Sequence, residues 1–211
     1  MRYKLGYIDE NPGARIDFNG FFEDTYDVYL FDINEETTLE SLVDDMVNAE
    51  LDLIVVDYEL SGDGVLDFDA DQLIERFTKL KPYFPYIILT YNRDDALDHI
   101  HDANIIYDKE EDMIERPESF KKIIKYNIDD YINKINKNKR LIEELSLKKN
   151  KEGLDTQEEE IFSRALMFEN DLDPKIKDLP THMTNLSEVT KINSFLKETQ
   201  EIKLMLEKIL K

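Results

Sequence analysis

Short apolar runs alternate with amphipathic stretches through the first part of the chain. Residues 3–8 form the first run and end on Asp9-Glu10. Pro12 and Gly13 then open a helical segment carrying Ile16, Phe18, Phe21 and Phe22, and residues 28–31 form a second strand. Thr37 or Thr38 caps the next helix, whose apolar set Leu39, Leu42, Val43, Met46 and Val47 recurs at helical spacing. Residues 51–56 are β-branched and almost wholly apolar, the mark of a strand buried on both faces, and they close on Asp57. After a loop holding Gly62 and Gly64, a helix is predicted over 69–81, with Leu73, Ile74, Phe77 and Leu80 inward, ended by Pro82 and Pro85. A fourth strand over 86–89 stops at Thr90, a short polar helix covers 94–101, and a fifth strand over 104–107 is followed by Asp108 and Lys109. Five alternations of strand and helix predict an α/β fold: a flavodoxin-like, doubly wound, five-stranded parallel sheet.

From Phe120 the helical period takes over. Ile124, Ile128, Tyr131, Ile135, Ile142 and Leu145 keep nearly a heptad spacing, which predicts a helix projecting beyond the sheet domain until Gly153 breaks it. Thr156 with Glu159 reads as a capping box for a helix carrying Ile161, Leu166, Met167 and Phe168. Pro174 and Pro180 bracket a connection, and a last amphipathic helix is expected from Ser187 onward. This part reads as an all-α helical hairpin or coiled-coil interaction module, with a homodimer through its helices as one way to pair them. The domains are therefore set at 1–125 and 126–211.

Charge divides the chain at the same place. Residues 1–125 hold 12 Lys/Arg against 31 Asp/Glu, a net −19 of the total −21, whereas 126–211 hold 15 against 17. So acidic a surface repels phosphate backbones and anionic bilayers, and the helical part has no helix-turn-helix pattern or basic face, so neither nucleic acid nor membrane is expected as a partner. The seven Lys/Arg within 134–151 fall at helical spacing and read as a solvated face. Absence of cysteine excludes disulfides and thiolate chemistry. No apolar run approaches a membrane span, and Met1-Arg2-Tyr3-Lys4 leads into a strand and not a signal peptide, so a soluble cytoplasmic protein is expected.

Doubly wound sheets bind ligands at the carboxyl ends of their strands. Here those ends carry Asp9 and Glu10, Asp57, Thr90 and Lys109, on strands one, three, four and five. Three carboxylates brought together repel one another unless a cation intervenes, and oxygen donors of this kind suit Mg²⁺. A lysine and a hydroxyl beside them are fitted to an additional anion, such as a phosphoryl group on Asp57. His99 and His101 lie two apart in a helix and diverge, His182 lies in a loop, and the Gly62–Gly64 stretch lacks the Lys-Ser/Thr of a nucleotide loop.

The set resembles the receiver domain of two-component response regulators, over about residues 1–125. That resemblance implies a non-enzymatic signalling protein whose Asp57 accepts a phosphoryl group from a histidine kinase or phosphotransfer protein. It further implies Mg²⁺ held by Asp9, Glu10, Asp57 and the backbone carbonyl of Glu59, with Thr90 and Lys109 on the phosphoryl oxygens. Output then falls to a downstream protein partner of the helical module. Haloacid-dehalogenase-like phosphatases use a similar set, but they need Asp-x-Asp where this chain has Asp57-Tyr58-Glu59, and their acidic pair comes last instead of first. Three positions depart from the receiver pattern: Glu110 follows the lysine where Pro is usual, Ile106 stands where many receivers have an aromatic, and Ser61 replaces a common Pro. These departures define the alternative, a receiver-shaped adaptor that binds its partner without phosphorylation.

Overall fold

A computed structural model describes residues 2–62, 64–100 and 102–172. Five strands, β1 (Lys4–Ile8), β2 (Asp27–Leu30), β3 (Leu53–Asp57), β4 (Tyr86–Thr90) and β5 (Ile106–Asp108), form one parallel sheet in the order β2-β1-β3-β4-β5. Helices α1 (Pro12–Phe22), α2 (Leu39–Asn48), α3 (Ala70–Leu80) and α4 (Arg93–His99) alternate with the strands, and α5 (Pro117–Lys151) and α6 (Thr156–Leu172) follow. This is the flavodoxin-like arrangement that the alternating pattern predicts.

The two-residue period of the strands divides the core. Leu5, Tyr7, Leu53, Val55, Ile87 and Leu89 face one side, where they meet Phe18 and Phe22 of α1 and Phe120, Ile124 and Ile128 of α5. Ile8, Ile54, Val56, Ile88 and Ile106 face the other, against Leu42, Val43 and Met46 of α2 and Leu73, Ile74 and Phe77 of α3. Central β3 is buried along its whole length, whereas edge strand β2 alternates exposed and half-buried positions.

Several element ends differ from the sequence expectations, each for a local reason. The third strand starts at Leu53 and not Leu51, because the Asp52 carboxylate turns to accept from the Lys4 amide at 2.7 Å. The fifth strand begins at Ile106: residues Ala103–Ile105 form a 3₁₀ turn in which Asp102 caps the Asn104 amide, and pairing with β4 starts only at Ile88↔Ile106. Between β5 and α5 lies a π-helical turn, Lys109–Ile114, that the periodicity does not announce. Helix α5 opens at Pro117, three residues before Phe120, with proline in the first helical position where its missing N–H costs nothing.

The chain divides into two compact units, residues 1–140 and 141 onward. The described part of the second holds the end of α5 and all of α6. Gly153, at φ +85°, ends α5 in the left-handed conformation glycine tolerates. The capping box of α6 is Asp155 with Glu158, one residue earlier than the predicted Thr156–Glu159 pair: Asp155 Oδ1 accepts from the Glu158 amide at 2.9 Å and Glu158 Oε2 from the Asp155 amide at 3.1 Å. Lys148 pairs with Glu158, and Phe162, Ala165 and Leu166 are buried. The predicted helix from Ser187, Pro174, Pro180, His182 and His101 lie outside the described residues. Among the described residues no helix is long and apolar enough to cross a membrane.

Candidate functional site

Register decides which side chains meet. Parallel pairing of Ile8 with Val56, Asp57 with Leu89 and Thr90 with Asp108 brings the carboxyl ends of β1, β3, β4 and β5 level with one another. Asp9 and Glu10 leave β1, Asp57 and Thr90 are the last residues of β3 and β4, and Lys109 follows β5. All five line one cavity of about 1100 Å³, together with Glu59 and Gly62.

Asp9, Glu10 and Asp57 are all buried, and each contributes a carboxylate oxygen to a group whose members lie within 4.8 Å of one another. Buried Lys109 reaches between them: its Nζ stands 3.0 Å from Asp9 Oδ2 and 2.9 Å from Asp57 Oδ1. Burial raises the Asp57 carboxyl to about 6; the lysine opposes that rise and the Asp9 charge adds to it. Burial alone lowers the Lys109 ammonium, but the carboxylates of Asp57 and Asp9 more than reverse this, so it stays charged. Thr90 is 1% exposed, and its Oγ1 accepts from the Asn92 amide at 2.9 Å, which aims the hydroxyl proton elsewhere.

Four further groups shape the site, and the strand pattern passes over them. Buried Tyr7 donates from its hydroxyl to Asp9 Oδ2 at 2.6 Å; burial first, then the Asp9 charge, push the phenol far above its ordinary pKa, so it remains a donor. The Asn11 amide donates to Asp9 Oδ1 at 2.9 Å. Arg15 of α1 donates to the carbonyls of Asp9 at 2.6 Å and Glu10 at 3.2 Å, tying the acidic turn to the helix. Exposed Tyr91 lays its ring 5.2 Å from Lys109 Nζ. The sequence offers little to find them: even Tyr7, a hydroxyl in an otherwise apolar strand, reads first as apolar surface.

The lysine is held from its own side as well. Asp108 caps the π-helical turn, its Oδ1 accepting from the amides of Glu110 and Glu111 at 2.8 Å each, while Asp112 Oδ2 accepts from the Asp108 amide at 3.0 Å. That reciprocal pair fixes the backbone on both sides of Lys109 although Glu110, not proline, follows it. Ile106 is buried, and its neighbour Tyr107 packs edge-on against Phe120 of α5 with ring centroids 5.5 Å apart.

No protein-family model matches the chain, and no curated protein matches it in sequence. Solved structures match it in fold. NtrX from Brucella abortus in complex with ADP aligns with a TM-score of 0.50 at 14% identity, over 64% of this chain and 29% of that one. The adenylate cyclase from Rhodopirellula baltica gives 0.52 at 15% identity, over 67% and 98%. The CheY-like response regulator receiver domain protein from Methanospirillum hungatei gives 0.48 at 17% identity, over 64% and 99%. The chain thus spans less than a third of the NtrX chain that it matches. It has the receiver fold. A helical region follows that fold, and at these identities the likeness is one of architecture.

The acidic end of this receiver fold fits a hard divalent cation. Three carboxylates against one lysine leave an excess of two negative charges in a buried cluster if all are ionised, and every donor is oxygen. The Glu59 carbonyl accepts from the Gly62 amide only at 3.4 Å. A Cβ on residue 62 would meet that oxygen at 3.4 Å and Glu10 Oε1 at 3.5 Å, so glycine keeps the approach between the two oxygens clear. His99 takes no part: its Nδ1 lies 3.0 Å from the Tyr58 hydroxyl and 3.0 Å from the Asp95 carbonyl.

Proposed function

We propose that the chain is a response-regulator-like signalling protein in which Asp57 accepts a phosphoryl group from a histidine kinase or phosphotransfer protein. The observation that carries this reading is the convergence of Asp9, Glu10 and Asp57 at the strand ends, with Lys109 paired to Asp9 and Asp57. Asp9, Glu10, Asp57 and the Glu59 carbonyl would hold Mg²⁺, which when bound supplies positive charge to the oxygens around the phosphorus. Asp57, ionised above pH 6, attacks through a carboxylate oxygen: an O–P bond forms as the N–P bond of the phosphohistidine breaks, and the imidazole, already protonated on its other nitrogen, leaves as the neutral ring. Lys109 Nζ and the Thr90 hydroxyl take the phosphoryl oxygens, the lysine giving up its contact with Asp57 Oδ1 to do so. The chain itself is the acceptor and not a catalyst acting on a further substrate. Residues 1–125 form the phosphoacceptor domain in this reading and 126–211 the module whose protein–protein contacts, including a possible homodimer, carry the output. The setting is the cytoplasm, with neither nucleic acid nor membrane as partner.

Labelling by acetyl phosphate tests the acceptor directly. Mg²⁺-dependent, acid-stable and base-labile labelling is expected in the native chain and is lost in Asp57→Ala; labelling that persists in the variant sinks the assignment.

A second reading, the phosphorylation-independent adaptor, is favoured by buried Ile106 at the position where many receivers have a mobile aromatic. It expects Asp57→Asn to leave partner binding and oligomeric state unchanged.

A further inference from the structure

Tyr7 is a buried group in the site for which phosphoryl transfer has no use. It stands two residues before Asp9 in β1, where the face is otherwise apolar: Leu5, Leu53 and Val55 around it are fully buried. A phenol in such a place requires a partner for its hydroxyl. That partner is Asp9 Oδ2, at 2.6 Å. The ring that carries the hydroxyl is stacked on Phe18 of α1, with centroids 3.8 Å apart and planes 4° from parallel, so it cannot turn away.

The consequence falls on the two Asp9 oxygens. Oδ2 accepts from Tyr7 and from Lys109 Nζ, which uses both of its lone pairs. Among the described residues, Oδ1 accepts the Asn11 amide alone, at 2.9 Å, which leaves it one lone pair. Donors from β1, from the turn into α1 and from the turn after β5 thus hold the carboxylate plane from three directions.

We infer that Tyr7 is a positioning residue whose hydroxyl holds Asp9 so that Oδ1, and not Oδ2, is presented to a divalent cation in the site. The inference rests on the phosphoacceptor reading for the presence of that cation. Hydrogen bonds that orient a ligand from behind typically govern metal affinity over about 10–100-fold.

The test is a Mg²⁺ titration of the full chain, by calorimetry and amide NMR, in the native protein and in Tyr7→Phe, Phe18→Leu and Asp9→Asn. Tyr7→Phe keeps the stacked ring and removes only the donor; it is expected to weaken Mg²⁺ about tenfold or more. Phe18→Leu keeps the donor but breaks the stack that fixes the ring; it should lower the urea midpoint and weaken Mg²⁺ by less than Tyr7→Phe does, and an equal or larger loss than in Tyr7→Phe counts against the hydroxyl as the orienting group. The native chain also provides a readout that needs no variant. The Tyr7 hydroxyl proton, short-bonded and buried, should exchange slowly and move during the titration with the same midpoint as the Asp9 amide. Mg²⁺ affinity unchanged in Tyr7→Phe, or a hydroxyl resonance indifferent to Mg²⁺, overturns the positioning role. Failure of the native chain to bind Mg²⁺, or binding that survives Asp9→Asn, instead overturns the phosphoacceptor reading on which it rests.

Discussion

Burial and ligand chemistry pull Asp57 in opposite directions. Its folded-state pKa, raised to about 6 by burial, lies above the 3.8 of an ordinary aspartate, so the native protein binds that proton more tightly than the unfolded chain does. The ionised group therefore costs stability above pH 6, and the cost shrinks as pH falls through 6 and is gone near 4. Asp57→Asn is accordingly expected to stabilise the Mg²⁺-free protein at pH 7.5 by on the order of 2 kcal/mol, a gain that vanishes by about pH 4. Urea unfolding of both chains across that range, with chelator present, checks it; a gain independent of pH contradicts it. The presence of Asp9, Glu10, Asp57, Thr90 and Lys109 at strand ends was legible because each follows an apolar run. The Tyr7 hydroxyl on Asp9 and the Tyr91 ring over Lys109 were not, since a tyrosine in or beside a strand reads first as apolar surface.

Among the elements, the π-helical turn Lys109–Ile114 is one that sequence periodicity misses, and it is the one that holds the lysine. Six residues contain too few turns for a hydrophobic stripe to show, and the turn is stabilised by caps more than by an apolar face. Asp108→Ala removes the acceptor for two amides at once. It is expected to cost about 1–2 kcal/mol in urea unfolding and to speed hydrogen exchange in 109–114 above all other segments. Uniform exchange, with the turn no faster than α3, would show that the packing of Met113 and not the cap holds it. The longer elements were legible for the converse reason. Helix α3 shows Leu73, Ile74 and Phe77 on one stripe, and its ends fall within a residue of the predicted ones because Pro82 and Asp69 mark them locally.

At the scale of the whole molecule, one helix passes through both units: α5 begins in the first, where Phe120, Ile124 and Ile128 pack beneath the sheet, and ends in the second. In the proposed phosphoacceptor reading, a change at Asp57 has a continuous helix available to it. With Mg²⁺ and beryllofluoride, a phosphoryl mimic, amide shifts are expected at Asp9, Asp57, Thr90 and Lys109 and along α5 past Arg140, with none in Asp57→Ala. Shifts that stop at the site would separate occupancy from output. The alternation of apolar runs by itself determined the parallel α/β architecture, and with it the strand ends that carry the acids, the threonine and the lysine, because burial on two faces and the helical period are written locally in each segment. Which donors each oxygen of Asp9 accepts, and what holds Lys109 between two carboxylates, only the tertiary structure decided. Those contacts join residues up to 100 positions apart, and they exist only once strand register and helix packing have set the distances between them.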